Sequence, residues 1–275
     1  MALTTFQRTV CRLIAGQRVE SGESYVAGGI ALNAATASDR VSRDIDLFHD
    51  TLSAVAASFD ADLKLLEAHG YRVQVQRERG GFSEAMVSLG RDSVLLQWAA
   101  DSAFRFFPLV EHEDFGLALH PFDLATNKVL ALVGRLEVRD WVDLIYCHDR
   151  IQRLGYLAWA ASGKDPGFSP DAILEQAGRS ARYSAAEIAA LSFAGPAPDA
   201  AILSQRWKIM LGEARQLTAL LPPEETGKCV LGLEGDLFTG DVTELQKARH
   251  ASALRFHEGR IRGAFPRIDG ESGTA

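Results

Sequence analysis

The segment spanning residues 24–48 constrains this chain more than any other. A short apolar run over 24–27 stops at Gly28-Gly29, and a helical stretch covers 30–36. A loop over 37–43 then leads into Asp44-Ile45-Asp46-Leu47-Phe48. The first four of these last residues alternate polar and apolar, which predicts a half-buried strand. Residues two apart on a strand share a face, so Asp44 and Asp46 point the same way, about 7 Å apart at a rise of roughly 3.3 Å per residue. The glycines sit where a strand gives way to a helix. There the backbone can approach a ligand closely while the first helical N–H groups face an anion.

Two carboxylates so placed can share a hard cation. Magnesium takes one or two protein carboxylates and completes its shell with water and phosphate oxygens. With a second metal about 4 Å away, such a pair can activate an attacking hydroxyl and stabilise a pyrophosphate leaving group at an α-phosphate. Ser42 offers a hydroxyl donor just upstream. Taken singly, a Gly-Gly is most often a turn and an Asp-x-Asp a solvated strand edge; their order and spacing give them weight together.

The rest of the chain changes texture near His120. Before it, helical and strand patterns alternate: helices over 5–16 and 52–69, strands over 71–76, 85–89 and 94–99. After it, periodic stretches read as helices over 121–135, 139–154, 170–178, 184–191 and 199–221. Asp123 complements the first turn of the first of these. Residues 228–275 read as Gly-rich and irregular, with the last half dozen disordered. The expectation is an α+β fold, a small mixed sheet flanked by helices over 1–120, followed by a mostly helical region over 121–275.

Composition fits that frame. Of 275 residues 47% are hydrophobic and 24% charged, the balance of a globular chain. No run of about 18 apolar residues offers a membrane span, and the N-terminus lacks the order of a signal peptide, so a cytoplasmic protein without membrane contact is expected. Cys11, Cys147 and Cys229 lie far apart, without metal or disulfide spacing, and read as buried thiols. A net charge of −7 argues against a surface that coats nucleic acid throughout, while arginines around 135–139, 150–153 and 255–267 leave room for a local grip. Trp98, Phe104, Phe106 and Phe107 read as core, and His49 as a solvated loop residue.

Gly28-Gly29-Ile30-Ala31-Leu32 followed by Arg40-x-Ser42-x-Asp44-Ile45-Asp46-Leu47-Phe48 resembles the signature of the DNA-polymerase-β-type nucleotidyltransferases, and more narrowly of the AbiEii/AbiGii toxin family. Asp123-Leu124-Ala125-x-x-Lys128, Ala131, Arg135 and Arg139-Asp140-x-x-Asp143-Leu144 resemble the downstream motifs of that family. The resemblance implies a minimal nucleotidyltransferase fold, a Mg2+ site, an NTP donor such as ATP, and the role of toxin beside a cognate antitoxin. The acceptor would be an RNA, such as the 3′ end of tRNA, or a protein hydroxyl. Residue by residue it implies that Gly28, Gly29 and Ser42 hold phosphates, that Asp44 and Asp46 bind metal, that Lys128 neutralises the triphosphate, and that Asp143 is the last acidic motif, the helical region completing the active site.

Helical spacing puts Lys128 and Arg135 on one face, and Asp140 with Asp143 on another. They could face phosphates, or form a surface ion-pair network between two antiparallel helices. One departure stands out. Polymerase-type sites take a third carboxylate from a neighbouring strand, and Gln97 stands at that position, with Asp101 too far along and Glu84 unplaced. The departure favours a second reading, a catalytically weak relative that binds nucleotide as a regulator; a third reading is an interaction partner acting through its helical half.

Overall fold

The computed structural model describes residues 3–179 and 183–267. By its contacts the chain divides into two compact units, the first comprising Met1–Ala103, Leu109–His120 and Ser192–Pro196, the second Phe104–Pro108, Pro121–Leu191 and Ala197–Ala275. No described helix is long and apolar enough to cross a membrane.

The first unit runs α1 (Thr5–Ser21), β1 (Ser24–Ala27), α2 (Gly28–Thr36), β2 (Asp44–His49), α3 (Leu52–Ala68), β3 (Arg72–Arg79), β4 (Phe82–Leu89) and β5 (Asp92–Ala100). After β6 (Phe104–Arg105), which pairs in the second unit, come β7 (Val110–His112) and β8 (Gly116–Ala118). They build a seven-stranded sheet in the order β3-β4-β5-β2-β1-β8-β7. The β2–β5 and β1–β8 pairs are parallel and the others antiparallel, so the sheet is mixed, as expected of an α+β fold of nucleotidyltransferase type. The alternation read from the sequence is real in β2, where Ile45, Leu47 and His49 are buried and Asp44, Asp46 and Phe48 only partly so. Ile45, Leu47, Leu96 and Trp98 form core with Val10 and Ile14 of α1 and Val55 and Phe59 of α3, Phe59 meeting Trp98 edge-on at 5.0 Å between ring centroids.

Helix α1 starts on a capping box between Thr4 and Gln7 and runs past Gly16 to a left-handed Gly22. Its last turn carries Arg18, fully buried, whose Nη2 lies 3.8 Å from Asp62 Oδ2. The indole of Trp98 donates to that same oxygen at 2.9 Å. Burial pushes the Asp62 carboxyl up, against the pull of Arg18 and Trp98.

His49 corrects an expectation. It is the last residue of β2 and is 0% exposed, not solvated, with Nδ1 3.3 Å from the carbonyl oxygen of Ala99. Burial, opposed by that carbonyl and aided by Arg18, lowers its pKa from 6.5 to about 4. The unfolded chain therefore binds the proton first, and stability is lost as pH falls from 6.5 through 4, by up to about 3 kcal/mol at roughly 1.4 kcal/mol per pH unit. Urea unfolding at pH 7 and pH 4.5 is expected to show a smaller drop for His49→Gln than for the parent chain; equal drops would mean that His49 titrates normally.

The second unit carries α4 (Pro121–Arg135), α5 (Val138–Arg150), α6 (Leu154–Ala161), α7 (Pro170–Gly178), α8 (Ala185–Ala189), α9 (Ala200–Leu220), β9 (Cys229–Leu231), α10 (Val242–His250), β10 (Arg255–His257) and β11 (Arg260–Ile261). Two sequence expectations fail here. The single helix expected over 139–154 breaks after Arg150, and α6 begins at Leu154. At the break, buried Gln152 donates to the carbonyls of Val230 and Phe238. All eight residues of α6 are buried, so it has no polar face to betray a period. Gly155 lets α9 approach, since a Cβ there would lie 2.8 Å from Leu217 Cβ.

The tail is not irregular either. β9 pairs with β10 and β11 with β6, while α10 opens on a capping box at Asp241. Val230 and Leu245 join a core of Tyr156, Trp159, Leu217 and Leu221. Strands of two or three residues are too short to show alternation. The expected disorder of the last half dozen residues lies outside the described residues. Asp123 does more than complement a helix dipole: fully buried, it accepts from the backbone N–H of Phe106 at 2.8 Å and of Phe107 at 3.0 Å, and pairs with Lys164 at 2.8 Å. The three cysteines are buried and free, with burial pushing the Cys11 thiol up to about 12.

Candidate active site

The antiparallel pairing of β1 and β2 sets Ala27 opposite Asp46. The next residue, Gly28, adopts φ 63° and turns the chain into α2 directly against that aspartate. A Cβ on Gly28 would fall 1.8 Å from Asp46 Oδ2, so the carboxylate occupies the space a side chain would need. A Cβ on Gly29 would fall 2.8 Å from Arg40 Nη2 and 3.0 Å from Ser42 Oγ. The two glycines thus bring backbone to both the carboxylate and a cationic, hydroxyl-bearing loop. Ala27 gives α2 no side-chain cap, whereas Thr4 and Thr51 cap α1 and α3. The start of α2 thus has no cap from its own preceding residue, and the Asp46 carboxylate stands beside it.

The loop between α2 and β2 is held from several sides. Asn33 Nδ2 donates to the Arg40 carbonyl at 2.8 Å, and Gln7 Nε2 to that of Ser42 at 2.8 Å. Val41 N donates to the Ser192 carbonyl at 2.8 Å, and Ala194 N to that of Asp39 at 2.7 Å. Arg40 and Ser42 are consequently buried, at 5% and 8% exposure. Arg40 belonged to the motif read from the sequence, but was given no role there; only the fold shows its guanidinium beside Gly29.

Asp44 and Asp46 share the partly exposed face of β2. Across the sheet, Asp46 is in register with Gln97 of β5, and Gln97 with Glu84 of β4. Gln97 thus stands on the strand beside Asp46, where the sequence reading placed it. Among the described residues no group of three or more His, Cys, Asp or Glu side chains gathers as a metal cage. Two carboxylates on one strand face, with Asp46 against the start of α2, nonetheless suit a cation that takes most of its oxygens from phosphate and water. Gly28, Gly29, Ser42, Asp44 and Asp46 all belong to this one unit.

Lys128 and Asp143 belong to the second unit, where α4 and α5 bring them together with Arg135 and Asp140. Lys128 Nζ lies 2.9 Å from Asp140 Oδ1 and 3.2 Å from Asp143 Oδ2. Arg135 grips Asp140 with two bonds, Nε to Oδ2 at 2.6 Å and Nη2 to Oδ1 at 2.9 Å. Both aspartates are buried, as is Lys128. Burial raises the Asp140 carboxyl, but the bonds from Arg135 and Lys128 outweigh it and hold the group below the usual range. The ion pairing anticipated between two helices is thus present, but Lys128, Asp140 and Asp143 are buried and not at the surface as expected.

No family model matches the chain, and no curated protein matches its sequence. Solved structures do resemble it. A Helicobacter pylori protein described as a proposed nucleotidyltransferase aligns over 80% of this chain and 100% of its own, at 15% identity and a TM-score of 0.49. JHP933 from Helicobacter pylori aligns over 91% of this chain and 97% of its own, at 14% identity and a TM-score of 0.50. What the likeness to JHP933 establishes is a shared fold.

Proposed function

We propose that the chain is a Mg2+-dependent nucleotidyltransferase that moves NMP from an NTP to a hydroxyl acceptor. The observation that carries this reading is the contact of Gly28 backbone with the Asp46 carboxylate, which joins an uncapped helix start to an Asp-x-Asp strand. In the reaction the acceptor oxygen bonds to the α-phosphorus, the α–β bridging P–O bond breaks, and pyrophosphate leaves as the hydroxyl proton is lost. Gly28, Gly29 and Ser42 hold the triphosphate by backbone and side-chain donors, with Arg40 adding positive charge. Asp44 and Asp46 hold Mg2+, which when bound neutralises phosphate charge and lowers the pKa of the acceptor hydroxyl. The roles the resemblance gives Lys128, triphosphate neutralisation, and Asp143, the last acidic motif, remain part of the proposal, as do an RNA or protein acceptor, a tRNA 3′ end among them, and a cognate antitoxin.

The test is transfer of label from each α-labelled NTP, with Mg2+, to total RNA or lysate protein. The unmutated chain is expected to label a discrete band, and the folded Asp44→Ala/Asp46→Ala variant to fall at least about 1,000-fold, the scale on which loss of electrostatic stabilisation in a transition state is felt. Gln97 beside Asp46 favours a second reading, a nucleotide-binding regulator of little turnover. Bound nucleotide with no labelled acceptor would support it over transfer.

A further inference from the structure

Gln97 stands in the row where a third carboxylate is expected, yet its amide is not arbitrary. Its Nε2 donates to Glu84 Oε2 at 2.6 Å. A carboxylate oxygen only accepts, so Glu84 admits only the NH2 end of the amide, leaving the carbonyl oxygen as the end that remains. Asp46, Gln97 and Glu84 are register partners on three adjacent strands and therefore project from one sheet face. Glu84 lies two strand spacings from Asp46, about 10 Å at Cα, too far to stand in as a direct ligand beside it. It is 8% exposed, with Arg77 Nε 4.0 Å from its other oxygen.

We propose that Gln97 takes the place of the third acidic ligand as a neutral oxygen donor toward the cation at Asp46, and that Glu84 is the positioning residue that fixes its amide. The inference rests on the nucleotidyltransferase reading of the site. Amide carbonyls are hard oxygen donors of the kind such cations accept. The arrangement keeps the negative charge of a third acid but moves it one strand outward, with the amide between. On this arrangement Gln97→Glu alone is expected to be unfavourable, because it would set two carboxylates at hydrogen-bond distance, where they cannot both ionise cheaply. The exchange Glu84→Gln/Gln97→Glu removes that conflict, since the amide then donates from position 84 to the carboxylate at position 97.

Mn2+ binding tests this without turnover. Mn2+ is titrated into the full chain with a non-transferable α,β-methylene NTP and followed by water-proton relaxation, for the parent, Glu84→Gln, and the exchange Glu84→Gln/Gln97→Glu. Loss of an outer partner of a metal ligand weakens affinity about 10–100-fold. Glu84→Gln is expected to weaken Mn2+ binding about 10-fold and the exchange to restore it to the parent value or better. A purely structural role would lower the melting temperature of Glu84→Gln and leave Mn2+ affinity within twofold; that result, or a parent chain that binds no Mn2+, overturns the inference. Label transfer on the same samples separates the two readings. A parent that transfers nothing while Glu84→Gln loses Mn2+ affinity sinks the transfer reading alone; a parent that transfers while affinity is unchanged sinks the Gln97–Glu84 inference alone.

Discussion

Gly28→Ala is expected to lower nucleotidyl transfer at least about 100-fold and to weaken NTP binding with it. Two costs coincide at this position. The backbone sits at φ 63°, which for an L residue costs about 1–2 kcal/mol. The new methyl would also start 1.8 Å from Asp46 Oδ2, far inside contact distance, so either the helix start or the carboxylate must move. Both are in the proposed site, and a displacement of about 1 Å at a reacting centre can cost 100-fold. The Gly29→Ala change is expected to be milder, because the neighbours its Cβ would meet are side-chain tips, Arg40 Nη2 at 2.8 Å and Ser42 Oγ at 3.0 Å. Isothermal titration of a non-transferable NTP beside the label-transfer assay checks both. Full activity in a folded Gly28→Ala would mean that the contact between the turn and Asp46 is not part of catalysis.

The second large effect is on stability. Lys128→Ala is expected to destabilise the chain by about 3–5 kcal/mol, because it removes the ammonium that two buried carboxylates share. Arg135 would still grip Asp140, but Asp143, buried to 1% exposure, would lose the ammonium 3.2 Å from its oxygen. The pH dependence gives the sign. The Asp140 carboxyl is held below its ordinary 3.8, so its contribution is present above that value and lost as pH falls through the depressed one. The gap between parent and variant is therefore widest near neutrality and narrows below 3.8 as Asp140 takes up its proton. Urea unfolding at pH 7 and pH 2.5 measures it; a variant as stable as the parent at pH 7 would show that the lysine is not committed to its carboxylates. Because loss of activity in Lys128→Ala would mix folding with chemistry, its proposed phosphate role has to be judged at a temperature where the variant is folded.

These predictions draw on different sources of information. The strand–turn–helix–loop–strand segment was readable because each of its signals is local: a glycine pair where the backbone must reverse, alternation along β2, and two aspartates with the spacing of one face. Helix α4 and helix α7 were readable for a similar reason, each opening at a proline and closing where the apolar period ends. Helix α6 was not, since a fully buried helix has no polar side to set the period. His49 was misplaced because polarity suggests solvent, and nothing local announces that a histidine closes the inner face of a sheet. The tail strands were missed because their partners are remote, β9 with β10 and β11 with β6.

The sequence by itself determined the α+β class, the likeness of its motifs to a nucleotidyltransferase signature, and the shared face of Asp44 and Asp46, all of which follow from residue type and spacing. Only the tertiary structure decided what those residues touch. Strand register put Gly28 against Asp46 and set Gln97 and Glu84 in one row, and helix packing turned Lys128 and Arg135 onto buried aspartates. The reason is physical: backbone preference acts over a few neighbours in the chain, whereas register and burial depend on segments far apart in sequence that only the fold brings together.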